Sequence, residues 1–150
     1  MGKWITDDNF RRFAYCNAHI CRRPIKGIVL CLYGLGWCET VEEDTEEAKM
    51  YAEKGILFLI PYQNPWAWMN RPNISFVEEL MDHLFTEYNL PEDLPVVYTG
   101  GSMGGLGALV YTLYAKRLPK ACVVNCPVCD LLRFYLEKPD VSRSIYSAFH

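Results

Sequence analysis

No stretch of this sequence holds the roughly 18–20 consecutive apolar residues that a membrane-spanning helix needs. Its opening residues, MGKWITDD, lack the apolar run of a secretory leader. Positive charge does not accumulate either: 15 Lys+Arg stand against 18 Asp+Glu, a formal charge of −3, and no basic cluster exceeds a pair (Arg11–Arg12, Arg22–Arg23). That argues against a nucleic-acid partner. Repeats, low-complexity tracts and linkers are also lacking, so residues 1–150 read as a single domain with one substantial core. With 51% hydrophobic and 22% charged residues, intrinsic disorder is excluded. The expectation is a cytoplasmic protein with no membrane partner.

Cysteine, by contrast, is present seven times, at 16, 21, 31, 38, 122, 126 and 129. An odd count without an export signal favours reduced thiols over a disulfide framework. Cys126-Pro-Val-Cys129 is a CxxC, a spacing used for metal or redox chemistry. A structural zinc site would need a second such pair, and Cys16/Cys21 is a poor match. No metal and no cofactor are therefore expected.

The hydrophobic pattern alternates between strands and helices. Residues 10–17 read as a moderately polar strand near a sheet edge. Residues 25–33 form a nearly continuous apolar run, as a strand buried on both faces requires, and end in the turn Gly34-Leu-Gly36. Thr40-Val-Glu-Glu43 has capping-box spacing and predicts a helix from there to Lys54, its first turn solvated by the acidic run 42–47 and its end set by Gly55. Residues 56–60 predict a second buried strand, and 74–88 an amphipathic helix with Val77, Leu80, Met81, Leu84 and Tyr88 on one face and His83 exposed. Residues 95–100 predict a third strand, followed by a helix to about Arg117, and 121–125 a fourth strand. Strands and helices in alternation specify a mostly parallel sheet flanked by helices, an α/β class.

The chemistry concentrates in Tyr98-Thr-Gly-Gly-Ser-Met-Gly-Gly-Leu-Gly107. Gly100-x-Ser102-x-Gly104 falls between a predicted strand and a predicted helix, the context in which GxSxG forms a nucleophile elbow. A strand that turns straight into a helix strains the middle residue and projects its side chain, so the residues two positions away must be small. Ser102 is then a candidate nucleophile beside a helix N-terminus, and the N–H of Met103 a candidate oxyanion donor. Neither a P-loop (GxxxxGK[ST]) nor a dinucleotide fingerprint (GxGxxG) is completed.

With the Tyr33-Gly34-Leu35-Gly36 turn, the stretch Asn64-Pro-Trp-Ala-Trp-Met-Asn70 and Gly100-Gly-Ser-Met-Gly-Gly105, the chain from about residue 10 onward resembles the α/β-hydrolase superfamily. More narrowly it resembles the prolyl-oligopeptidase-like serine hydrolases, which include esterases and peptidases. The resemblance implies a serine hydrolase that cleaves an ester or peptide substrate through an acyl-enzyme. It implies a second oxyanion donor at the N–H of Leu35, with Gly36 the neighbouring candidate; Tyr33 stands where many relatives carry His. Trp37, Trp66 and Trp68 lie on loops at the C-terminal ends of strands, where ligands bind in open α/β sheets, and are candidates for a substrate pocket or for packing.

A serine needs a base, and the superfamily's chain order is Ser, acid, His. After Ser102 the sole histidine is His150; His19 precedes the first central strand and His83 sits on a covering helix. Asp130, after the strand at 121–125, occupies the position of the acid in some relatives; a helix cap is the other reading. The expectation is an incomplete hydrolase domain with its nucleophile and oxyanion donors but without its later strands. A catalytically inactive binding or interaction module is the alternative. With the later strands gone, the strand at 121–125 is expected to be an exposed apolar edge, so that the chain self-associates or needs its missing portion to be soluble.

Overall fold

The structure, a computed structural model, describes residues 4–150. Five strands form one sheet in the order β1-β3-β2-β4-β5. They are β1 (Ala14–Cys16), β2 (Gly27–Leu32), β3 (Ile56–Pro61), β4 (Val96–Gly101) and β5 (Ala121–Asn125). β1 runs antiparallel to β3 at one edge, and the other neighbours are parallel. Helices α1 (Glu46–Glu53), α2 (Arg71–Glu87) and α3 (Met103–Tyr114) connect the parallel strands, and α4 (Leu131–Glu137) and α5 (Pro139–Phe149) follow β5.

The apolar runs at β2 and β3 are continuous because both faces of the sheet are covered. On one face Ile28, Leu30, Leu32, Leu57, Leu59, Val96 and Tyr98 pack under Val77, Leu80, Met81 and Leu84 of α2 and Ala108 and Tyr111 of α3. On the other, Tyr15, Val29, Phe58 and Ile60 pack under Ala48 of α1. This two-sided burial follows from the period-2 alternation of a strand. β5 is covered on one face alone. Cys122 and Val124 meet the α2/α3 core, whereas Val123 points outward and is 60% exposed.

Several local expectations are corrected. The start of the segment 10–17 is a short 3-10 turn over Phe10–Arg12, and the strand is just Ala14–Cys16, at the edge but fully buried. Tyr15 belongs to the core beneath α1, which is why the segment is not a polar strand. α1 begins at Glu46, not near Thr40: Thr45 is its N-cap, accepting from the Ala48 N–H at 3.1 Å. The acidic run is therefore split. Glu46 and Glu47 lie in the first turn, while Asp44 accepts from the Tyr15 hydroxyl at 2.6 Å and pairs with His19 at 3.0 Å. Gly55, at φ +78°, ends α1 as expected.

His83 is not a solvent-facing helix residue; its side chain is 12% exposed, pairs with Asp7 and stacks on Phe10. Glu78, on the same helix, is buried and accepts from the Tyr111 hydroxyl at 2.5 Å, tying α2 to α3. α3 ends at Tyr114, short of Arg117, because Lys116 and Arg117 turn back to pair with Asp82 of α2.

Helices α4 and α5 form a small cap. Trp68, Met103 and Ile145 make its buried centre, joined by Leu35, Phe134, Val141 and Ala148. Leu35, Trp68 and Met103 all follow the C-terminal ends of strands, so the cap sits over that end of the sheet. Trp68 Nε1 donates to Ser144 Oγ at 3.1 Å and Asn70 Nδ2 to the Ala148 carbonyl at 2.8 Å, fixing α5 to the body.

Candidate active site

Ser102 stands at the join of β4 and α3 with φ 53° and ψ −121°. A positive φ is costly for a residue with a Cβ and persists only where the surroundings impose it. Here two glycines do so. A Cβ on Gly104 would run into the Leu32 carbonyl oxygen and lie 2.6 Å from that of Tyr33. One on Gly100 would run into the Gly104 carbonyl and lie 2.7 Å from the Leu32 oxygen. α3 can thus start directly on top of the end of β2, and the join is as sharp as the GxSxG spacing requires. Ser102 itself is exposed, neither buried under neighbouring side chains nor within a helix.

The backbone of Ser102 is held from both sides. Its N–H donates to the Asn125 carbonyl at 3.0 Å, and its carbonyl accepts from Leu106 at 3.1 Å and Val128 at 3.3 Å. The hydroxyl caps no helix N–H and has no side-chain partner among the described residues.

The turn after β2 lies alongside. A Cβ built on Gly34 would sit 3.9 Å from that of Ser102. Within this turn Gly36 donates its N–H to the Pro65 carbonyl at 3.0 Å. The N–H groups of Leu35 and Met103 have no acceptor among the described residues, the latter because it opens a helix. Met103 follows Ser102 in sequence and Leu35 follows Gly34, which lies against Ser102, so both unspent N–H groups belong to residues beside the serine or its neighbour. That separates Leu35 from Gly36, which the sequence left side by side.

The three tryptophans divide. Trp37 stacks on Tyr33 with ring centroids 4.0 Å apart and lines a cleft with Cys38, Tyr62 and Pro65. Trp66 is exposed. Trp68 is buried beneath the cap, tilted against Phe134. None of the three lines the cleft at Ser102. That cleft, of about 310 Å³, is lined by the loop after β5 and by α4, including Cys126, Cys129, Asp130, Arg133 and Glu137. These residues were not identified from the sequence as a group. The available signal was their place after the C-terminal end of a strand beside the serine.

No histidine joins the cleft among the described residues. His19 is paired with Asp44, His83 with Asp7, and His150 stacks on Tyr146 at the chain's end. Asp130 faces the cleft but is the N-cap of α4, accepting from the Arg133 N–H at 2.8 Å. The helix-cap reading accounts for it. No group of three metal-ligating side chains occurs among the described residues, the CxxC included.

No protein-family model matches the chain, and no curated protein matches it in sequence. Solved structures match it in fold. An inhibited esterase B from Lactobacillus rhamnosis superposes with a TM-score of 0.54 at 16% identity, over 84% of this chain and 47% of that one. The Francisella virulence factor BioJ gives 0.53 at 18% identity, over 83% and 47%. The glycosylation associate protein (Gap123) complex from Streptococcus agalactiae gives 0.52 at 14%, over 90% and 29%. The chain thus spans at most about half the length of these proteins. Its fold is of the α/β-hydrolase type, with a mostly parallel five-stranded sheet and flanking helices.

Proposed function

We propose that this chain carries the nucleophile and oxyanion donors of a serine hydrolase that cleaves esters through an acyl-enzyme on Ser102. The strained, exposed backbone of Ser102 carries the reading, because nothing in the packing of β4 on α3 requires a hydroxyl there. In this mechanism the Ser102 Oγ attacks the acyl carbonyl. The N–H groups of Leu35 and Met103 hold the oxygen as it becomes negative, a role preorganised by the turn and by the helix N-terminus. The base is a histidine supplied by residues other than these 150, since His19, His83 and His150 are engaged elsewhere. The esterase among the structural neighbours favours an ester over the peptide bond of prolyl-oligopeptidase-like enzymes.

The test is labelling by a fluorophosphonate probe of this chain, alone and in the polypeptide or complex in which it occurs naturally. Ser102→Ala is expected to abolish labelling and turnover together. Labelling that survives the substitution rejects the assignment. A second reading is a non-catalytic interaction module, favoured by the lack of a histidine at the cleft. Folded natural protein that never labels would establish that reading instead.

A further inference from the structure

The loop that holds Ser102 carries two thiols. Asn125 accepts from the Ser102 N–H, Val128 donates to the Ser102 carbonyl, and between them and just beyond lie Cys126 and Cys129. Pro127 is seated against the first turn of α3, where a Cβ on Gly105 would come within 3.0 Å of it. Cys126 adopts φ 45°, and both thiols are exposed and face the cleft of Ser102. Their side-chain hydrogen bonds among the described residues are weak ones, Cys126 to Asn125 Oδ1 at 3.4 Å and Cys129 to the Pro127 carbonyl at 3.6 Å. The cysteines of the core are of another kind. Burial pushes the thiols of Cys16 and Cys31 up to about 12, out of the reactive range.

We propose that Cys126 and Cys129 form a redox-active dithiol, oxidised by low-molecular-weight disulfides to an intramolecular disulfide that releases Ser102 from its backbone clamp. One cysteine thiolate attacks the small disulfide, forming a mixed disulfide and expelling one thiol. The second thiolate attacks the protein sulfur of that bond and expels the other thiol. Two cysteines are oxidised, one small disulfide is reduced to two thiols, and the cysteine protons end on those thiols. A disulfide needs Cα atoms about 4.4–6.8 Å apart, the span of a β-turn, and proline at its second position presets such a turn. Residues 126–129 are not closed into a hydrogen-bonded turn here, so forming one re-aims the peptide units between the two cysteines, among them the Val128 N–H that donates to the Ser102 carbonyl at 3.3 Å. The effect on reactivity rests on the serine-hydrolase reading; the disulfide does not.

The experiment equilibrates the protein across a series of glutathione to glutathione disulfide ratios. Three readouts follow at each ratio: the mass of the peptide 121–133, hydrogen exchange over 102–107 and 126–128, and fluorophosphonate labelling. Oxidation is expected to remove two hydrogens from that peptide, to speed exchange in both segments, and to lower labelling at least tenfold, reversibly with reductant. Cys129→Ser and, separately, Cys126→Ser are expected to abolish all three responses. A peptide that stays reduced, forms only a glutathione adduct, or still loses two hydrogens in Cys129→Ser overturns the proposal. So does a disulfide that leaves exchange unchanged. Absent labelling of the reduced protein in the polypeptide or complex in which it occurs naturally, with the other two readouts as expected, refutes the hydrolase reading alone.

Discussion

The glycines around Ser102 make the local geometry testable one atom at a time. Adding a methyl group at Gly104 sets a Cβ against the carbonyls of Leu32 and Tyr33, and at Gly101 it meets the Asn125 carbonyl at an ordinary 3.6 Å. The Gly104 clash is with backbone at the end of the central strand, so no side-chain rotation relieves it. Overpacking of that kind costs about 3 kcal/mol. For 150 residues this corresponds to a fall in Tm of roughly 6–12 °C. Gly101→Ala is expected to remain within about 0.5 kcal/mol of the parent, as substitutions without a named clash do. Circular dichroism melts of the two variants, with fluorophosphonate labelling in parallel, provide the comparison. Equal melting temperatures would show that α3 does not start as close to β2 as described. The steric account of Ser102's conformation would then fail with it.

Two further outcomes concern the sheet edges. The Tyr15 hydroxyl, aided by His19, holds the Asp44 carboxyl below the usual aspartate range despite some opposing desolvation. The folded state therefore binds fewer protons than the unfolded chain, so this contribution is complete above the unfolded value near ~3.9 and fades as pH falls through the depressed one. Asp44→Asn is expected to lower the urea midpoint at pH 7, and the gap to the parent is expected to narrow progressively as pH falls below the unfolded value. A gap independent of pH contradicts the pairing. At the opposite edge, β5 carries no charge or proline to discourage pairing, and Val123 is exposed. The parent chain is expected to associate with rising concentration on gel filtration and Val123→Lys to stay monomeric. A concentration-independent monomer for the parent counts against association through this edge.

The sheet was legible from the sequence because β2 and β3, at its centre, are buried on both faces and spell this as nearly unbroken apolar runs. The site was legible as far as the backbone demands particular residue types: only small residues at 100 and 104 permit the join at Ser102. Contacts distant in sequence were not. Glu78 reads as part of a polar face until Tyr111, 33 residues on, supplies its partner. The capping-box spacing at Thr40 points to the wrong threonine: Asp44 is claimed by Tyr15 and His19, and the helix starts only after it, capped by Thr45. The burial of Trp68 likewise depends on α5, whose Ser144 accepts from its indole 76 residues further on.

That burial gives the molecule an optical reporter. Trp68 is 2% exposed, whereas Trp4 and Trp66 are open to solvent at 81% and 54%. The cap above it rests on a small apolar cluster and two side-chain bonds, which marks it as a unit that can lift before the sheet unravels. When it lifts, the indole at position 68 becomes wet, and its emission shifts to the red while far-ultraviolet dichroism from the sheet persists. Fluorescence and dichroism would then part company early in a denaturant titration, a spectroscopic signature of one layer peeling from another.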